Sequence, residues 1–191
     1  LINEFLDFLR ESVTPFHAVR GMRERLEQAG FESVERFDPS AMVPGRGYFM
    51  IKQGSSLVAL RAGAQELGRG LRLVGAHTDS PNLSVKPNPV TGRDGCVQLG
   101  VDIYGGALLN PWFDRDLALA GRLTVLTAEG ELRSVLFDSV GPVAVVPSLA
   151  IHLDREANKQ RSINPQKDVV PLVMLGDAKG FDFKTWLAEK L

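Results

Sequence analysis

The chain has 191 residues, 44% hydrophobic and 24% charged, a composition that excludes fibrous and disordered classes and allows one generous domain or two small ones. Its 22 basic and 23 acidic residues leave a formal net charge of −1 with no long block of one sign, so it offers no electrostatic field for nucleic acid or for an anionic membrane surface. No apolar run approaches the roughly 20 residues needed to cross a bilayer.

Ile2, Phe5, Leu6 and Leu9 recur at helical spacing, which predicts an amphipathic helix over 2–11. Acids among these first residues argue against a signal peptide. Thr14 followed by Pro15 reads as an N-cap and first helical position, and the second helix is expected to end near Ala29, with Gly30 in the left-handed position beyond it. His17 falls in the first turn of that helix, where the helix dipole disfavours an imidazolium, so a packed or hydrogen-bonding role is expected.

The texture then changes to short strands. Residues 48–53 and 56–62 flank Gly54-Ser55 and predict a hairpin, followed by a glycine-rich loop over 63–70. Leu71, Leu73 and Val74 lie in a short apolar run bounded by glycine, which predicts a buried strand over 71–77. A dense turn cluster is expected over 88–95. Beyond it come strand candidates at 96–104, 119–127, 131–138 and 142–146, with a turn at Glu129-Gly130. The boundary between an α/β segment, 1–87, and a mostly β segment, 88–191, therefore falls near 87–95. The lone cysteine, Cys96, permits no internal disulfide, fits a reducing, cytoplasmic setting, and is expected to be a small buried hydrophobe. Leu1 at one end and a helix-like pattern interrupted at Leu191 at the other both read as cut ends, so a piece of a longer protein is expected.

The sharpest chemical signal is Gly75-Ala76-His77-Thr78-Asp79-Ser80-Pro81. A neutral imidazole at the end of a buried strand can bind a divalent metal. A carboxylate two residues on points to the same side and can accept the other ring N–H, which fixes the tautomer and raises the basicity of the metal-binding nitrogen. Against this stands a structural histidine satisfied by its neighbours, the commoner outcome for an isolated His-x-Asp. A zinc centre also needs about four donors.

Other sites fare less well. Asp114 and Asp116 share a face, but Arg115 between them and Arg122 nearby favour an ion-pair network over a second metal site. Gly63, Gly68 and Gly70 do not make a dinucleotide fingerprint, and there is no G-x-S-x-G elbow. Ser80 has only His77 as a sequence-visible base, which makes a serine hydrolase a poor competitor.

The wider string resembles the M18 (aspartyl aminopeptidase) family. The matching motifs are 75–81, Tyr104-Gly105-Gly106, Trp112 to Leu117, Leu119 to Arg122, Leu149 to Leu153, and the opening Thr14 to Ala18. They occur in the family's order and span essentially the whole chain. The resemblance implies an α/β fold: part of a zinc-peptidase catalytic domain in 1–87, with an inserted β-rich dimerisation domain, expected to be incomplete, in 88–191.

It also implies that His77 is the first zinc ligand, that Asp79 is the catalytic aspartate supporting it, and that His152 binds substrate in a neighbouring subunit's active site. The implied activity is removal of an N-terminal residue, Asp or Glu by preference, from peptides. The implied cofactor is two zinc ions per site or other divalent metals, and the implied assembly is a dodecamer built from dimers. No nucleic-acid or membrane partner is expected.

The family's further ligands, a bridging aspartate, a glutamate pair, another aspartate and a final histidine, find no match after His152, and the three histidines are His17, His77 and His152. The chain alone is therefore expected to be inactive. Two other readings remain open at this level. One is a non-catalytic oligomerisation module. The other is an M42-type dinuclear aminopeptidase, against which Ser80-Pro81 and the 112–117 string weigh.

Overall fold

The computed structural model describes residues 1–63, 70 and 72–191. The chain divides into two compact units, Leu1–Ser80 with Gly121–Leu136, and Pro81–Ala120 with Phe137–Leu191. Where the sequence texture placed a boundary at 87/88, the chain passes from one unit to the other at 80/81 and returns for 121–136.

The first unit opens with two helices, α1 (Ile2–Glu11) and α2 (Pro15–Gln28). Thr14 caps α2 by accepting the His17 amide at 3.3 Å, and Gly30 takes φ 77° beyond its end, as the sequence predicts. Phe8 of α1 lies over Gly21 of α2, and Arg25 closes the contact by stacking on the Phe8 ring at 4.9 Å and donating to the Gly21 carbonyl at 3.1 Å. His17 is buried, 3% exposed, with its Nδ1 2.7 Å from the Thr14 hydroxyl. It has the packed, hydrogen-bonded role expected of it.

The predicted hairpin forms from β2 (Gly47–Lys52) and β3 (Ser56–Arg61), antiparallel, with a short parallel strand β1 (Glu32–Ser33) on the other edge of β2. Central β2 carries the buried residues, Tyr48 and Phe49, which join Ala18 and Val19 of α2 in the core of this unit. The Tyr48 hydroxyl accepts the Val43 amide at 2.9 Å. Gly47 has no side chain because the Phe31 ring occupies that space: an added Cβ would stand 2.5 Å from its carbons.

The strand expected over 71–77 is a correction. Leu71 and residues 64–69, the latter within the glycine-rich loop predicted over 63–70, lie outside the described residues, and 72–77 form no strand. Leu73 is 93% exposed and Val74 95%. An all-apolar strand is stable only when both edges are paired and both faces covered. The described residues supply neither to this segment.

The second unit is built on an antiparallel sheet of order β4-β5-β10-β9-β6. Its strands are β4 (Asn82–Arg93), β5 (Cys96–Tyr104), β6 (Asp116–Leu117), β9 (Ala144–Val145) and β10 (Leu172–Leu175). A second correction falls here. The segment read as a turn cluster over 88–95 is strand as far as Arg93, and the turn itself is only Asp94-Gly95, at φ 52° and 74°.

The prolines still have their effect. Val85 pairs Val101 and Val90 pairs Leu99, so Lys86 to Pro89 bulge out opposite Gly100, because Pro87 and Pro89 have no amide for the ladder. In β5 the alternation of the pleat buries Val97, Leu99 and Val101 on one face, and Phe137, Val146 and Val169 complete this core. Cys96, at the start of β5, is half-buried rather than buried, with its sulfur 3.9 Å from the Asp94 carbonyl oxygen. The turn at the strand's start leaves one side of it uncovered.

Strands β7 (Ala120–Leu126) and β8 (Leu132–Asp138) pair as a ribbon around Glu129-Gly130, close to prediction, with Thr127 N–H donating to the Glu131 carbonyl at 2.8 Å. The terminal pattern forms α3 (Phe183–Ala188), capped by Asp182. Among the described residues no helix is long and apolar enough to cross a membrane.

Gly47→Ala is expected to destabilise the chain by about 1–3 kcal/mol, since the Phe31 ring must move to admit a methyl group. Gly121→Ala, where an added Cβ meets nothing within 4 Å, is the control. Urea denaturation reads both, and equal midpoints for the two variants would refute the packing account.

Candidate metal-binding site

His77 and Asp79 lie in the first unit, on the irregular segment that follows the β2–β3 hairpin. The ring Nδ1 is 2.7 Å from the backbone carbonyl oxygen of Asp79 and 3.4 Å from its carboxylate Oδ1. The closer partner is the main chain, although the sequence pattern pointed to the carboxylate. A carbonyl oxygen only accepts, so in the neutral ring Nδ1 carries the proton and Nε2 the lone pair, an assignment made from the partner. The imidazole is 80% exposed and the Asp79 side chain 46%. A ring held on one nitrogen and open to solvent on the other fits a metal ligand.

It fits as one donor. Among the described residues no group of three or more His, Cys, Asp or Glu side chains is placed to hold a metal ion.

Two hydrogen bonds missed by sequence reasoning end on the hairpin turn that this segment touches. The Thr78 hydroxyl donates to the Ser55 carbonyl at 2.8 Å, and Arg122 donates to the Gln53 carbonyl at 2.9 Å while its guanidinium stacks on the Phe16 ring at 4.2 Å. Both acceptors are main-chain oxygens of the β2–β3 turn. No residue-type pattern reports a bond to a carbonyl 23 or 69 positions away.

His152 lies in the second unit on the turn 151–153, exposed, with the Leu153 amide donating to the Ala150 carbonyl at 2.8 Å. Its neighbours Leu149, Ile151 and Leu153 are 61%, 53% and 66% exposed.

The Asp114 string turns out to be structural, though by other contacts than the expected ion pairs. Asp114 sits at φ 53° and its Oδ1 accepts the Ser148 amide at 2.8 Å. Arg161 stacks on the Phe113 ring at 3.9 Å and pairs with Asp154 at 3.8 Å. Among the described residues no ion pair joins Asp114 or Asp116 to Arg115 or Arg122. Hydrogen bonding from Ser148, side chain first and amide second, holds the Asp114 carboxyl below the usual carboxylate range, with Arg161 adding to the effect.

The M18 family model, described as aminopeptidase I zinc metalloprotease, matches residues 8–185. A probable M18 family aminopeptidase 2 from Pseudomonas putida is 49% identical over 189 residues, covering 97% of this chain and 44% of that protein. Among solved structures, the M18 aminopeptidase from Thermotoga maritima superposes with a TM-score of 0.77 at 26% identity, over 98% of this chain and 42% of that one. The S. cerevisiae mApe1 dodecamer does so with a TM-score of 0.72 at 28% identity, over 90% and 37%. The chain thus spans less than half the length of the curated relatives it matches.

Because the folded-state carboxyl of Asp114 titrates low, its contribution to stability is fully present above its unfolded pKa of about 4 and is lost as pH falls through the lowered folded value. Asp114→Asn is therefore expected to lose less thermal stability than the parent between neutral and strongly acid pH. Parallel curves of Tm against pH for the two proteins would contradict the Ser148 account.

Proposed function

The chain belongs to the aminopeptidase I zinc metalloprotease (M18) family, and we propose that its protein is a metal-dependent aminopeptidase that removes N-terminal residues, Asp and Glu by preference, from peptides. The observation that carries the reading is the His77 ring, with Nδ1 engaged by the main chain and an exposed face left for a metal. The acidic preference rests on the resemblance of the motifs.

In this reading His77 Nε2 holds a metal ion, and the Asp79 carbonyl and carboxylate orient the ring and balance the charge it gains on coordination. Two zinc ions, or another divalent pair, would supply Lewis-acid chemistry there, activating a water and polarising the scissile carbonyl, with His77 as one of the residues that would hold them. The other donors and the general base are assigned to the portion of the relatives' length that this chain does not span. Residues 1–87 are proposed as the N-terminal part of the catalytic domain and 88–191 as an inserted, β-rich dimerisation domain. The antiparallel sheet of the second unit supports the β-rich character of the later segment, although its first strand, β4, already begins at Asn82.

His152 is proposed to contact substrate in a neighbouring subunit. An imidazole raised on an exposed turn between exposed apolar side chains is suited to act outside its own unit. Dimers assembled into a dodecamer are proposed from the likeness to the mApe1 assembly, and a cytoplasmic setting from the lone Cys96. The M42 alternative loses ground to the family match, and a purely oligomerising module to the His77 geometry.

In the full-length protein, His77→Ala is expected to abolish peptide hydrolysis and lower bound zinc, both measured on the same preparation. Turnover near the parent's would remove His77 from the site. His152→Ala is expected to lower kcat/KM with zinc content unchanged, and unaltered kinetics would retire its substrate role. Equal kcat/KM for peptides beginning with Asp, Glu, Leu and Lys would overturn the acidic preference.

A further inference from the structure

We propose that Thr78 is a positioning residue for the metal-binding nitrogen of His77, acting by tethering the 77–79 segment to a β2–β3 turn that Arg122 locks. The inference rests on the reading of His77 as a metal ligand.

The β2–β3 turn is defined by its main-chain pairing. Lys52 pairs with Ser56, and the Ser55 amide donates back to the Lys52 carbonyl at 3.2 Å, so Gln53 and Gly54 are the central residues. Both have positive φ, 53° and 73°. Gly54 takes that conformation at no steric cost, but Gln53 does so against its own Cβ, at about 1–2 kcal/mol. Such a conformation persists where the surroundings over-determine it. Here they do: the Gln53 carbonyl accepts from Arg122, whose guanidinium is itself held on the Phe16 ring of α2.

The locked turn presents a second carbonyl, that of Ser55, and Thr78 donates to it at 2.8 Å. Thr78 is bonded directly to His77 and to Asp79, whose carbonyl holds the ring. Residues 72–77 form no strand among the described residues, so ladder pairing does not place His77. The hydroxyl tether supplies a fixed point one peptide unit away. The chain of contacts runs from Phe16 to Arg122, to the turn, to Thr78, and so to the imidazole, all within one compact unit. Removing the hydroxyl leaves His77 and its Asp79 partner present but releases the 77–79 segment from the turn, which weakens coordination without removing a ligand.

The test uses the full-length protein and reads zinc affinity by chelator competition together with the Tm of the zinc-free protein. Thr78→Val is expected to weaken zinc binding by about 10–100-fold, the loss typical of residues that orient a ligand, with little change in that Tm. Thr78→Ser, which keeps the donor, is expected to restore affinity. Thr78→Ala carries the same expectation as the valine variant and replaces it if that variant does not fold. In a His77→Ala background Thr78→Val should cost nothing further. Parent-like affinity in Thr78→Val, while His77→Ala has lost its zinc, would overturn the positioning role alone. Affinity losses that only track a lowered Tm, or that serine fails to rescue, would overturn it too. Undiminished zinc binding in His77→Ala would instead defeat the underlying metal-ligand reading.

Discussion

Two carbonyl oxygens of one tight turn, Gln53 O and Ser55 O, organise the first unit around its exposed histidine. A left-handed glutamine is a local cost, and the guanidinium of Arg122 offsets it from a segment 69 positions away. The same side chain reaches the Phe16 ring, so helix, hairpin and the returning ribbon meet at one cation. Thr78 uses the other oxygen. The histidine segment lacks strand pairing among the described residues, yet a hydrogen bond anchors it to a rigid point.

The second unit relies on a different constraint, the strict alternation of a pleated strand. Val97, Leu99 and Val101 face one core because β5 keeps its own pleat while its neighbours take the irregularities, β4 at Lys86 to Pro89, where two prolines cannot pair, and β10 between Leu172 and Met174. At the far edge of this sheet Asp114 ties the chain to Ser148, the residue next to the exposed Leu149 to Leu153 turn. The turn thus has a fixed base and an exposed tip.

The motifs through which the chain resembles its family divide accordingly. His77 carries a chemical opportunity, whereas Thr14, Asp114 and Arg122 spend their polar atoms on main-chain groups. Charged residues in a characteristic string read easily as ligands or ion pairs. Here their partners are amides, carbonyls and aromatic faces.

The sequence by itself determined the local elements. Periodicity and caps located α1 and α2, turn residues located the β2–β3 hairpin and the β7–β8 ribbon, and the His-x-Asp string marked the candidate site, because each is settled by residues within a few positions of one another. It misread 71–77 and 88–95, since apolar runs and proline-glycine clusters acquire meaning only from neighbouring strands. Leu73 and Val74 are exposed for want of partners among the described residues, and β4 continues to Arg93 because β5 pairs it across the bulge. Only the tertiary structure decided that the main chain of Asp79 lies closer to the imidazole than its carboxylate does, and that Thr78 and Arg122 share one turn. Those contacts end on backbone oxygens, which every residue carries alike, so no pattern of side chains could have announced them.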